Sequence, residues 1–203
     1  MLEPFSFDVA TMEWLSQHRW PPLTVLGLLV MYARVTGVDL LIALIAGWVF
    51  LGWKRVLKAL PVAYVAVRAA EVLTHLLKPL WKRPRPPASE TLVDLGRYAF
   101  PSSHAMMTAA LVVAVLLWLP WRSRNEFGWA TAIGGVFLFV VGALMVYLGG
   151  HWLSDVLVGW ALGAAIGQIT VVVARFAIRL ATRLWNGLPR GGRAEPRATE
   201  ASN

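Results

Sequence analysis

The chain has 203 residues and a formal charge of +8; 58% of its residues are hydrophobic and only 15% charged, with a mean hydropathy of +0.60 and a pI of about 10.6. A soluble domain carries about 25% charged residues, so this composition excludes an ordinary water-facing surface and points to lipid. The positive residues punctuate apolar runs instead of gathering into a patch, which argues against nucleic acid as a partner, and a cysteine count of 0 excludes a disulfide framework and a thiolate metal site.

The N-terminus is not expected to be a cleaved signal. Glu3 and Asp8 stand where a positive region belongs, and no small-residue cleavage site closes the first apolar run. Residues 8–20 mix Trp14, Leu15 and Trp20 with Glu13, Gln17, His18 and Arg19 before Pro21 and Pro22, the pattern of a short helix lying at the interface. Residues 22–35 are apolar but short, compatible with a tilted span or a half-inserted segment. Residues 1–37 therefore form an interfacial or half-inserted N-terminal unit.

Spans are predicted at residues 38–53, 56–77, 105–119, 129–148 and 156–177, each approximating the roughly 20 residues needed to cross about 30 Å of hydrocarbon. A barrel is excluded because its strands would alternate apolar and polar residues. The expected fold is all-α, a polytopic membrane bundle of five or six spans with its core over residues 38–177. Residues 178–203, rich in Arg, Gly and Pro towards the end, read as a basic disordered tail. Trp53, Trp81, Trp118, Trp121, Trp129 and Trp152 close apolar runs as an interfacial belt would.

Orientation follows from alternation. Lys54, Arg55 and Lys58, then Arg122 and Arg124, then Arg179, Arg183, Arg190, Arg193 and Arg197 fall on one side, which the positive-inside rule makes cytoplasmic, with the C-terminus. The polar loop of residues 78–100 and the turn at 149–155 then face outward, in a cell membrane. Gly159, Gly163 and Gly167 form a GxxxGxxxG face suited to close helix packing. Arg68 and Glu71 read as an internal pair, His75 as a polar packing residue and His18 as interfacial.

Three stretches on the outward side carry chemistry. They are Lys78-Pro-Leu-Trp-Lys-Arg-Pro-Arg-Pro86, Phe100-Pro-Ser-Ser-His104 and Tyr147-Leu-Gly-Gly-His-Trp-Leu-Ser-Asp155. Lys78 and Arg85 offer charge and fork-shaped donors to a phosphate, with Pro84 and Pro86 stiffening the backbone around Arg85. Pro101 and Ser102 precede a span opened by His104, where backbone N–H groups favour an anion; Ser102 also reads simply as a helix cap. His151 and Asp155 are four apart, so Asp155 can accept from one ring nitrogen and leave the other to attack phosphorus. A nucleophilic histidine and an acid histidine suffice for phosphoryl transfer without a metal or cofactor. A metal site from His75, His104 and His151 has no support from ligand spacing.

Together these stretches resemble the type 2 phosphatidic acid phosphatase family, which shares its site with vanadium haloperoxidases. The family pattern runs Lys-x6-Arg-Pro, Pro-Ser-Gly-His, Ser-Arg-x5-His-x3-Asp, and it is matched by Lys78, Arg85 and Pro86, by Pro101, Ser102 and His104, and by His151 and Asp155. The resemblance implies that Lys78, Arg85, Ser102 and the backbone around Ser103 hold phosphate oxygens. It implies that His104 protonates the leaving oxygen and that His151, oriented by Asp155, forms a phosphohistidine which water hydrolyses. Two departures stand out. Ser103 replaces the usual glycine, and the third motif's Ser-Arg falls at Leu144 and Met145. A phosphate-binding arginine is thereby missing; Arg83 and Arg97 are the candidates to replace it. For these two, as for Lys82, contact with lipid headgroups is the equal alternative.

The expected function is hydrolysis of a lipid phosphate or diphosphate, such as undecaprenyl diphosphate, phosphatidylglycerol phosphate or phosphatidic acid. The alternatives are a lipid phosphotransferase and, because of Met145, a non-catalytic lipid-phosphate binding protein. A transporter is a weaker option, since nothing suggests paired half-helices.

Overall fold

A computed structural model describes residues 2–36 and 52–187, and every regular element among the described residues is a helix. Helix α1 spans Ser6–Gln17, where the Asp8 carboxylate accepts from the Phe5 backbone N–H at 3.0 Å and so satisfies a donor at the helix start. Helix α2, Pro21–Thr36, opens on a proline whose missing N–H costs nothing in the first turn. The Tyr147 hydroxyl pins its entry, accepting from Trp20 N at 2.7 Å and donating to Trp20 O at 3.0 Å. With 16 residues, α2 rises about 24 Å, short of the roughly 30 Å of a bilayer core.

Helix α3, Trp53–Trp81, ends at Lys82 in a left-handed conformation whose N–H returns to Lys78 O. It runs past residue 77, so Lys78 lies in a helical last turn instead of the loop expected there; Pro84 and Pro86 block further continuation. Helix α4, Ser103–Trp118, is capped by the Ser102 hydroxyl, and helix α5, Arg124–Tyr147, by the Ser123 hydroxyl. Helix α6, Leu153–Gly187, continues ten residues beyond the predicted span. This corrects the first part of the expected disordered tail. Ile178, Leu180, Leu184 and Trp185 maintain an apolar stripe between Arg179 and Arg183, and no glycine or proline intervenes before Gly187. Residues 188–203, and all of the span expected at 38–53 except Gly52 and Trp53, lie outside the described residues.

Helix α4 is the centre of the bundle, packed chiefly on α6, then α3, then α5, and α3 also touches α6. The glycine face decides this. A Cβ on Gly159, Gly163 or Gly167 would lie 2.9, 2.1 or 2.7 Å from the carbonyl oxygens of Ser102, Met106 and Ala110, so α6 approaches the α4 backbone itself. Ala105, Ala109, Ala110 and Ala114 present the matching small side chains, all with no exposed surface. A second core cluster joins α1, α2 and α5 through Met12, Met31, Leu144, Met145 and Leu148.

Two described helices, α5 and α6, are long and apolar enough to cross a membrane by length and composition. Only 28% of each apolar stretch is buried within the protein. Val136, Phe139, Ile169, Val172 and Phe176 turn outward, which in water would be an aggregation-prone patch and in lipid is a match. Helix α4 is apolar but only 16 residues long, and α3 carries Lys54, Arg55, Lys58, Arg68, Glu71 and Lys78 along its length.

Candidate active site

The ends of three elements meet at one end of the bundle. Ser102 N donates to Asp155 O at 3.1 Å, which ties the entry of α4 to the first turn of α6. His104 follows two residues into this junction and is buried. His151 sits in the turn between α5 and α6, with its backbone N–H donating to Met145 O at 3.3 Å. That turn requires Gly149: its φ is +74°, and a Cβ there would lie 2.4 Å from Glu90 O.

His151 is fully buried and bracketed by opposite charges. Its Nδ1 faces Asp155 Oδ2 at 3.6 Å, an ion-pair distance somewhat longer than a hydrogen bond. Catalytic hydrogen bonds are commonly loose before substrate arrives. On the other side, Arg85 Nη1 lies 3.5 Å from His151 Nε2. Burial pushes the imidazole down to about 4, with Asp155 opposing and the Arg85 and Lys78 charges reinforcing the fall. The ring is therefore neutral at pH 7 and able to act as a nucleophile.

Arg85 is held by the backbone. Its Nε donates to Gly96 O at 2.5 Å, Nη2 to Leu95 O at 2.8 Å, and Nη1 to Gly150 O. Burial lowers its pKa to about 10, which leaves it charged at neutral pH. Lys78 is half-buried in the last turn of α3, and Ser103 is half-buried at the start of α4. Among the described residues, no three histidine or acidic side chains gather as a metal set, and His75 is exposed on α3.

Met145 has no exposed surface and belongs to the cluster with Met12, Leu144 and Leu148, so the missing guanidinium is replaced by packed apolar core. Arg83 does not replace it, and it does not reach headgroups. It is fully buried, and its terminal nitrogens are committed to Asp8, Ser154 and Asp155. Arg97 is exposed, its guanidinium 5.4 Å over the Tyr98 ring. Sequence reasoning gave Asp8 only as an acidic residue near the N-terminus and missed its contact with this end of the bundle. Its carboxylate is buried beside Ser154, 146 positions along the chain, and no local pattern signals such a contact.

The described helices form a bundle with outward-turned apolar side chains, and one end of it carries His104, His151, Lys78 and Arg85, the composition of a membrane protein with a basic, histidine-bearing site. The family model of the PAP2 superfamily matches residues 58–179, more than half of the chain, and the protein belongs to that superfamily. It is similar to phosphatidylglycerophosphatase B of Bacillus subtilis (strain 168), 38% identical over 96 residues, which are 45% of this chain and 46% of that protein. It is also similar to an undecaprenyl-diphosphatase of Sulfolobus acidocaldarius, 33% identical over 76 residues, 37% of this chain and 34% of that protein. Each match spans less than half of the relative's own length. The crystal structure of Aquifex aeolicus LpxE superposes with a TM-score of 0.63 at 25% identity, covering 84% of this chain and 98% of that one.

Proposed function

We propose that the protein is a membrane lipid phosphatase that works through a phosphohistidine. The observation that carries this reading is the placement of His151: fully buried, with Nδ1 3.6 Å from Asp155 Oδ2 and Nε2 3.5 Å from Arg85 Nη1. In this reading Lys78, Arg85, Ser102 and the backbone at Ser103 hold the phosphate oxygens. His151 Nε2 forms a bond to phosphorus while the bond from phosphorus to the lipid oxygen breaks, and His104 gives that oxygen a proton. Water then attacks the phosphohistidine, with His104 taking its proton, and inorganic phosphate leaves with the imidazole restored.

The substrate class is a lipid phosphate or diphosphate, in keeping with relatives named for phosphatidylglycerol phosphate and undecaprenyl diphosphate. The bundle of five or six spans has its site in the outer leaflet. Arg55, Lys58, Arg122, Arg124, Arg179 and Arg183 at the other end support a cytoplasmic assignment for that end and for the C-terminus. The second reading, a lipid-phosphate binder without turnover, is favoured by Met145 alone.

Purified protein in bilayers, offered a panel of lipid mono- and diphosphates in the presence of a chelator, tests both readings. The expected result is phosphate release, lost in His151→Ala, together with an acid-labile phosphoprotein in rapid-quench samples. Tight lipid-phosphate binding without release from any lipid would establish the second reading. Release that needs added magnesium would overturn the histidine mechanism.

A further inference from the structure

Arg83 and Asp8 lie outside the constellation just described, yet they are among the most deeply buried charges in the protein. Arg83 has no exposed surface and Asp8 has 1%. Arg83 Nη1 donates to Ser154 Oγ at 2.7 Å and to Asp155 Oδ1; Nη2 donates to Asp8 Oδ2 at 2.7 Å and to Glu3 O at 3.3 Å. The Phe5 and Phe100 rings lie 5.6 and 5.9 Å from the guanidinium carbon. Asp8 closes the ring: Oδ1 accepts from Ser154 N at 2.8 Å, and Oδ2 from Ser154 Oγ at 2.6 Å and Phe5 N at 3.0 Å.

A buried ion triad is poor value as a stabiliser, because apolar packing of the same volume is commonly as stable or more so. Its use lies in what it does to Asp155. That carboxylate has two oxygens. Oδ1 is taken by Arg83; Oδ2 accepts from Trp152 N at 2.9 Å and faces His151 Nδ1. Arg83 thereby fixes the carboxylate plane, and Asp8 supplies the second anion that keeps the Arg83 charge from resting on Asp155 alone. Asp8 belongs to α1, outside the stretch that matches the family. Around it, Phe5, Phe7 and Trp14 are about half exposed, at 50, 46 and 59%.

We propose that Asp8 and Arg83 are positioning residues, through which the N-terminal helix holds Asp155 in the orientation that sets the tautomer of His151. The proposal rests on the phosphatase reading for its consequence in turnover, but its structural content is independent of it. The groups facing His151 are Asp155 on α6, Lys78 on α3 and Arg85, itself beside Asp94. With these in place, loss of Asp8 concentrates the Arg83 charge on Asp155 and weakens the hold of Oδ2 on Nδ1–H.

The test uses the full chain in bilayers with Asp8→Asn, Arg83→Lys and, as control, Glu126→Gln, which breaks the Arg55–Glu126 ion pair at the start of α5. Nitrogen-15 spectra of His151 report the tautomer without any need for turnover, and lipid-phosphate hydrolysis reports the consequence. In wild type the proton is expected on Nδ1. In Asp8→Asn and Arg83→Lys the tautomers are expected to mix, and kcat to fall about 10- to 100-fold, by analogy with the loss of the carboxylate that orients a metal-bound histidine, with little change in KM. Glu126→Gln should alter neither readout. If Arg83→Lys does not fold, Asp8→Asn decides the matter. An unchanged His151 spectrum in folded Asp8→Asn would overturn the proposal, as would an activity loss that merely tracks the unfolded fraction. A wild type without turnover whose His151 tautomer still depends on Asp8 would uphold the positioning role and sink the phosphatase reading.

Discussion

Lowering the pH from 7 to 4 acts on His151 in folding and in chemistry at once. Its pKa falls from 6.5 in the unfolded chain to about 4 in the native state, chiefly through burial. Between those values the unfolded chain binds a proton that the folded chain does not. Stability from this group is therefore complete above pH 6.5 and is lost as pH falls towards 4. At about 1.4 kcal/mol per unit, the fall corresponds to about 3 kcal/mol. The assay is denaturant or SDS unfolding in micelles across that window, for wild type and His151→Gln side by side. The carboxylates are common to both proteins, so the difference in pH dependence isolates the imidazole. The same group predicts that the acid limb of kcat/KM lies near pH 4 instead of near 6.5. If wild type and His151→Gln lose stability in parallel, or His151 titrates near 6.5 in the folded protein, the neutral buried nucleophile is wrong.

Arg85→Gln is expected to lower kcat/KM by roughly 2–4 kcal/mol of transition-state stabilisation, measured on the best lipid of the panel. It should also raise the His151 acid limb, because a depressing charge 3.5 Å from Nε2 is gone. Met145→Arg, which restores the family's residue, is expected to cost several kcal/mol of stability. Position 145 has no exposed surface and belongs to an apolar core cluster, so a guanidinium there must be desolvated and would overpack its neighbours; a more active and equally stable variant would contradict this. Gly163→Ala should lower the unfolding midpoint by about 1–3 kcal/mol equivalent and reduce turnover with it. The added methyl meets the Met106 carbonyl and separates the two helices that carry His104 and Asp155.

The helices, their apolar outward faces and the proximity of His151 to Asp155 were legible because each has a local signature. Apolar runs of span length, a serine before a helix, and a histidine and aspartate four apart are short-range patterns. The glycine face at 159, 163 and 167 was legible for the same reason, and the packing of α6 on the α4 backbone agrees with it. Boundaries were less legible. The helix through residues 178–187 was hidden because arginines spaced four apart resemble a polar tail in composition, yet sit on one side of a helix that keeps its apolar stripe.

What the sequence determined by itself was an all-helical, apolar chain and the order of three motifs along it, since these fix which side chains are present and in what order. Only the tertiary structure decided what Arg83 and Met145 do. Arg83 lies two residues from Arg85 and looks equally available to a phosphate, but it is enclosed by Asp8, Ser154 and Asp155. Met145 falls where the resemblance places an arginine, and it is packed in the core cluster with Met12, Leu144 and Leu148. Adjacent side chains in an irregular segment diverge by the path of the backbone, and a carboxylate brought from the far N-terminus cannot be read from either neighbourhood. Burial beside that carboxylate makes Arg83 an internal counterion instead of a ligand for substrate.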